Sequence, residues 1–105
     1  MNKFEKKENS TELVAERVRT WKELLGDIDP ENKYKEGLAR VIEEVSGDIN
    51  VFIDKKIFWE HAYKVARLSM LQSPEDEQIA ILSSQILEEM LNTFQDVSGE
   101  SPALK

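Results

Sequence analysis

The strongest constraint on the fold is the stretch that begins at Asp54 and reads DKKIFWEHAYKVARLSML. On a helix with about 100° per residue, its apolar side chains cover roughly two-thirds of the circumference. Only Glu60, Lys64 and Arg67 form a narrow polar strip. A surface helix typically needs an apolar stripe only a little wider than about 100°, so this helix must have neighbours on several sides. The pattern predicts a central helix over residues 54–72, with Asp54 as its N-terminal cap.

Three other stretches carry apolar residues at helical spacing, and recognisable start and stop signals bound them. Asp29 and Ser73 are each followed by a proline and an acidic residue, an order typical of a helix N-terminus. Ser10 or Thr11 is the candidate cap of the first helix, and Gly26 is expected to end it in a left-handed conformation. The predicted helices cover about residues 11–25, 30–46, 54–72 and 74–95.

The remaining segments are predicted to connect or flank these helices. Residues 46–53 read SGDINVFI, in which Ile49, Val51 and Ile53 alternate as in a strand. No second strand is available, so we expect an extended connector packed on the core, with strand pairing across a dimer axis as the alternative. The fold prediction is all-α: a single-domain antiparallel four-helix bundle over residues 10–95. Residues 1–9 and 96–105 are expected to be disordered tails.

The composition excludes several classes of site. The 105 residues are enough for one domain, and they include no cysteine and only one histidine. Disulfides, thiolate metal sites and a zinc-ligand set are therefore not expected, nor is any other cofactor. The N-terminus lacks the apolar core of a signal peptide, and the longest uncharged run, from Gln78 to Leu87, is too short to span a bilayer. A cytoplasmic protein without a membrane segment is expected.

The net charge of −7 is concentrated in the last third of the chain. Residues 73–105 contain seven acidic residues and only one base, Lys105. A charge of this sign repels phosphate backbones, so direct nucleic-acid binding is not expected. It can attract a basic partner, and the cluster of Glu75, Asp76 and Glu77 is the candidate for this role. The other reading is that the acidic residues serve only solubility.

The wide apolar arc of the central helix suggests an interface. In a simple four-helix monomer, the side with Trp59, Tyr63 and Met70 would stay partly exposed. Aromatic and methionine residues are enriched at the centres of protein interfaces, so a homodimer or a partner protein would cover this side. Alternatively, the fourth helix and the connector cover it within the monomer. Arg17 projects into the apolar arc of the first helix, either with its stem over apolar surface or aimed at a partner's carboxylate.

The sequence His61-Ala62-Tyr63-Lys64 is similar to the His-x-x-Lys core of histidine phosphotransfer domains. Those domains are small acidic four-helix bundles with the active histidine on a bundle helix. The resemblance implies that His61 would carry the phosphoryl group and that Lys64, one turn later, would balance its charge. The residue after the lysine is usually small in that family and is Val65 here. The alternative is a half-buried histidine that makes an ordinary hydrogen bond.

These observations favour a non-enzymatic helical protein–protein interaction module, such as an adaptor, an inhibitor or a regulatory protein. No phosphate-binding glycine loop occurs, and no serine or cysteine nucleophile has a plausible base beyond the single histidine. Two alternatives remain from the sequence. One is histidine phosphotransfer through His61, and the other is an acidic inhibitor that mimics nucleic acid.

Overall fold

The computed structural model describes the backbone of residues 3–103 and the side chains of residues 10–103. This part of the chain is helical and contains no β-strand, so the all-α prediction is confirmed. The four long helices are α1 (Lys3–Gly26), α2 (Lys35–Ser46), α3 (Lys55–Ser69) and α4 (Glu77–Ser98). Two short 3-10 helices, Ile49–Phe52 and Pro74–Asp76, precede α3 and α4.

One apolar core joins all four helices. α3 and α4 pack most extensively on each other, and α1 lies against both α2 and α4. At the centre the Phe58 ring meets Phe94 with ring centroids 5.0 Å apart and Phe52 with centroids 6.3 Å apart. Edge-on contacts of this kind add to the stability that burial of aromatic rings supplies. α3 is therefore held mainly by its contact with α4, and its opposite side faces away from the core.

The segment before α3 is a 3-10 helix, and the predicted extended conformation is wrong for residues 49–52. Val51 and Phe52 are consecutive and both fully buried. An extended chain places consecutive side chains on opposite faces, so it could not bury both against one core. The Asp48 carboxylate accepts a hydrogen bond from the backbone N–H of Asn50 and caps this turn.

The first helix is longer than the sequence pattern predicts. α1 begins at Lys3 rather than near Thr11, so residues 3–9 of the predicted tail belong to the helix. Neither glycine nor proline interrupts this stretch, and lysine and glutamate have good helix propensity. Ser10 consequently lies inside α1 and does not cap it. The helix does end at Gly26, but Gly99 is the one residue with positive φ in the described chain, so the predicted left-handed Gly26 is wrong.

The second helix begins later than predicted, at Lys35 instead of residue 30. The Asp29 carboxylate accepts a hydrogen bond from the N–H of Glu31, and the Asn32 side chain accepts one from the N–H of Tyr34. Short polar side chains that bind the backbone two residues ahead stabilise turns in competition with helix. Two such turns replace the expected first helical turn. The end of α2 at Ser46, followed by Gly47, agrees with the prediction.

The cap of α3 is confirmed, and the chain after α4 folds back onto α3. The Asp54 carboxylate accepts hydrogen bonds from the N–H groups of Lys56 and Ile57. α4 continues to Ser98 and ends at Gly99, whose φ of 79° is left-handed. Part of the predicted C-terminal tail is thus helical, and Pro102 is buried. Residues 1–2 and 104–105 of the predicted tails lie outside the described chain.

Over residues 3–103, none of the helices combines the length and the apolar character that crossing a membrane would require.

Candidate protein-interaction surface

The predicted contact residues on α3 lie on one side of the helix. Positions 59, 63 and 70 fall within an arc of about 40° at helical spacing, and Met70 directly follows the last residue of α3. We call Trp59, Tyr63 and Met70 the α3 stripe. The side chains of Tyr63 and Met70 are 63% and 74% exposed. Among large apolar side chains in the described part of the chain, only Ile53 and Ile81 are comparably exposed. Two of the four most exposed large apolar side chains therefore belong to this stripe.

Trp59 is less accessible than its two neighbours. Its ring packs edge-on against Phe58, with centroids 5.2 Å apart. Its indole Nε1–H donates a hydrogen bond of 2.7 Å to the carbonyl oxygen of Pro102. Trp59 thus anchors the segment after α4 and supports one end of the stripe. The sequence pattern identifies the aromatic residue but cannot indicate that a segment more than forty positions later covers it.

The charges around the stripe are positive. Residues 55–70 contain four bases and one acid, within a chain of net charge −7. The guanidinium of Arg67 lies 5.9 Å from the centroid of the Tyr63 ring, a distance at which cation–π attraction operates. Lys56 and Lys64 are also exposed on this helix. A partner that covers the stripe therefore meets a cationic border, opposite in sign to the chain as a whole.

The cluster of Glu75, Asp76 and Glu77, which was expected to attract a basic partner, lies away from α3 and is only partly accessible. Glu75 and Glu77 are exposed, whereas Asp76 is buried at 5% exposure, so Asp76 does not offer the accessible carboxylate that was expected. These residues line a depression together with Asp29 and Glu31, and no residue of α3 lines it. In the described chain, no group of three or more histidine, aspartate or glutamate side chains is suited to hold a metal ion.

Arg17 is engaged within the chain. Its guanidinium donates one hydrogen bond of 2.6 Å to Thr93 Oγ1 and another of 2.9 Å to the carboxylate of Asp96. The Arg17–Asp96 ion pair joins α1 to α4. Of the two readings of Arg17, the one that required a partner's carboxylate is not needed, because α4 of the same chain supplies a carboxylate.

His61 belongs to a small polar cluster between α2 and α3. Its Nδ1 lies 2.9 Å from the carbonyl oxygen of Ile57, so the tautomer with a proton on Nδ1 donates a hydrogen bond there. Its Nε2 lies 3.8 Å from Glu44 Oε1, and Lys64 Nζ lies 3.4 Å from the same oxygen. Lys64 is therefore paired with Glu44. A phosphoryl group on Nε2 would face the Glu44 carboxylate, and like charges at such short range repel.

A groove between α2 and α3, which we call the α2–α3 groove, has a volume of about 470 Å³. Its apolar floor consists of buried and half-buried side chains, and its rim carries exposed cationic side chains. The floor residues are Tyr34, Val41, Leu68 and Leu71, and the rim residues are Arg40, Lys64 and Arg67, with Gly37 and Glu44 completing the lining.

Gly37 is the unexpected residue of this groove. A Cβ atom built at this position meets no atom within 4 Å, and Gly37 does not have a positive φ. Glycine inside a helix costs about 0.5–1 kcal/mol relative to alanine, and no contact within the described chain requires it here. An isolated glycine in a helical pattern is the sequence signal that could have drawn attention to this groove.

Comparisons of the chain with protein-family models, with curated proteins and with solved structures find no match.

Proposed function

We propose that the protein is a non-catalytic protein–protein interaction module and that the α3 stripe is its contact surface. One observation carries the proposal: Tyr63 and Met70 are both mostly exposed, although α3 buries Phe58, Ala62 and Val65 completely. Scattered exposed apolar residues are normal. Here Tyr63 and the half-buried Trp59 line one depression on α3, and Met70 follows about two turns later on the same side.

The chemistry of the patch supports this role. Tyrosine, tryptophan, methionine and arginine are enriched at the centres of protein interfaces. Tyr63 already carries the Arg67 guanidinium near its face, so the ring's orientation is partly set before a partner binds. Pre-ordered side chains lose less conformational entropy on association. The partner is either another protein or a second copy of this chain, and the second case would give the predicted homodimer.

The other two functions suggested by the sequence have less support. Phosphotransfer through His61 would require a phosphoryl group to approach Glu44, which lies 3.8 Å from Nε2. A nucleic-acid mimic needs an acidic contact surface, whereas the charges around the accessible apolar residues of α3 are positive.

We also propose that the four helices run antiparallel in a bundle. The connections between them are short, and α1 and α3 each pack against both α2 and α4.

Site-specific photo-crosslinking in the cells that produce the protein tests the interaction surface. A photoreactive phenylalanine analogue replaces Tyr63 in one variant and Ile81, which is 61% exposed on α4, in a matched control. We expect discrete crosslinked species from position 63 and none from position 81. Their masses distinguish a homodimer from a complex with another protein.

A second pair of variants tests whether the stripe supplies binding energy. In this experiment the photoreactive probe is placed at Lys56. Tyr63→Gln combined with Met70→Gln should abolish the crosslinked species, while the helicity measured by circular dichroism stays unchanged. The double variant is preferable to a change at Trp59, because Trp59 also supports the fold through Phe58 and Pro102. Equal crosslinking from positions 63 and 81, or none from either, would contradict the proposed function.

A further inference from the structure

The α2–α3 groove is a second surface, which adjoins the α3 stripe and shares Lys64 and Arg67 with its cationic border. Gly37 and Arg40 belong to α2 and line only the groove, whereas Tyr63 and Trp59 do not line it. The groove combines an apolar floor with a rim of three cations and one acid. The acid, Glu44, is already paired with Lys64. The positive charge at the rim therefore exceeds the negative charge.

Two of the three rim cations, Arg40 and Arg67, are available to a ligand. Arg40 lies 3.8 Å from Glu36, and both side chains are mostly exposed, so this pair is weak and easily exchanged. Arg67 makes no ion pair within the described chain and contacts the Tyr63 ring. Guanidinium groups bind carboxylates with two parallel hydrogen bonds. The rim is thus suited to a ligand with several carboxylates spaced along its length.

Gly37 indicates how closely the ligand approaches. Its missing side chain leaves open space beside the groove, and no residue of the described chain fills it. Glycine is the residue that permits close approach of another backbone. On the α2 side the lining runs from Tyr34, the residue before α2, to Glu44, a length of about 15 Å or three helical turns. These dimensions match an α-helix laid into the groove.

We propose that the α2–α3 groove binds an acidic amphipathic helix of a partner protein. The apolar stripe of that helix, with residues at positions i, i+4 and i+7, lies on Val41, Leu68 and Leu71. Its flanking glutamate or aspartate residues meet Arg40, Lys64 and Arg67. The apolar floor distinguishes this site from a surface for phosphate backbones, for which cations without an apolar floor are sufficient.

The described surface of a second copy does not supply this ligand. Among its large apolar side chains, Ile53 and Ile81 are exposed singly, and Tyr63 and Met70 stand among bases. One isoleucine cannot fill a floor built from four side chains. The groove therefore fits a helix from a different protein better than it fits this chain's own helices.

The test uses a synthetic peptide of about four helical turns, with leucine along one face, glutamate on both flanks and alanine elsewhere. A matched peptide carries lysine in place of glutamate. Binding to the full-length protein is followed by fluorescence anisotropy, and the site is mapped by ¹⁵N NMR shifts. We expect the acidic peptide to bind at least about tenfold more tightly than the basic one, with shifts at the groove residues. Affinity should fall as salt concentration rises.

Variants on α2 show whether the groove is the site. Gly37→Gln fills the open space and should weaken peptide binding at least about tenfold without lowering the melting temperature. Arg40→Gln should weaken it about threefold to tenfold. The matched controls are Ala15→Gln and Arg19→Gln, at exposed positions of α1, and both should leave the affinity unchanged.

The outcomes separate this inference from the proposed function. Peptide binding that persists in the variant with Tyr63→Gln and Met70→Gln places the site away from the α3 stripe, whatever the crosslinking experiment gives. Equal affinity for both peptides, shifts outside the groove, or an unaffected Gly37→Gln variant would overturn the inference. A homodimer that forms without peptide and is lost in Gly37→Gln would also overturn it, in favour of a second copy as the occupant.

Discussion

Two regions of the molecule use similar residue types in opposite ways. One is the seam between α1 and α4, and the other is the surface shared by α2 and α3. At the seam, Trp21 is 1% exposed and donates a hydrogen bond of 2.8 Å to Glu89, while Arg17 pairs with Asp96. On α3 an aromatic residue, Tyr63, is largely exposed, and the neighbouring Arg67 pairs with no acid of the described chain. The aromatic and arginine side chains are thus engaged within the chain at the seam and accessible on α3.

This difference indicates which region holds the fold together and which is free to bind. Buried polar atoms are stabilising only when their hydrogen bonds are satisfied, and the seam supplies a partner for the indole of Trp21 and for Arg17. The exposed residues of α3 are expected to contribute little to folding because they are not buried within the chain. Variants at the seam should therefore change stability, and variants on the α2–α3 side should change association.

The largest expected effect is at Trp21. Trp21→Ala removes a fully buried aromatic ring and leaves the half-buried Glu89 carboxylate without its indole donor. The free energy of unfolding should fall by about 3–5 kcal/mol, measured by urea denaturation. Tyr63→Ala is the matched control on α3 and should change it by no more than about 0.5 kcal/mol. Similar losses in both variants would remove the distinction between the two regions.

A smaller effect is expected at Arg17. Arg17→Met keeps the apolar stem but removes the bonds to Thr93 and Asp96, so unfolding should become easier by about 1–2 kcal/mol. A double-mutant cycle with Asp96→Asn measures the coupling between the two side chains. A cycle energy near zero would show that the ion pair contributes nothing to stability, and Arg17 would again be a candidate for contact with a partner.

The smallest effect has the opposite sign. Gly37→Ala should stabilise the fold by about 0.5–1 kcal/mol, because alanine favours helix and the added methyl group meets no neighbour. Thermal unfolding followed by circular dichroism measures it. A loss of stability would mean that the glycine serves the fold of the chain itself, and it would remove one argument for close approach of a ligand at the groove.

Much of the secondary structure follows from local sequence rules. The apolar spacing predicts the all-α class, and Asp54 is recognisable as a cap because its short carboxylate can accept from N–H groups two and three residues ahead. The start of α2 is not predictable in the same way. Asp29 is equally compatible with a helix cap and with the first residue of a turn. The hydrogen bond that the Tyr34 N–H donates to the Asn32 side chain favours the turn.

The candidate surfaces are predictable only in part. Tyr63 and Met70 can be placed on one helix side from their spacing, because helical geometry is local. The groove depends on how α2 lies against α3, and the coverage of Trp59 depends on Pro102, which is far away in sequence. No periodicity within one helix contains this information.

The sequence by itself determined the helical class, the cap of α3, the end of α2 and the placement of positions 59, 63 and 70 on one helix side. These features depend on interactions within a few residues along the chain. The tertiary structure decided that Arg17 pairs with Asp96, that Asp76 is buried and that Gly37 stands beside an open cationic groove. Each of those outcomes depends on which distant side chain lies opposite, and packing between helices sets that arrangement.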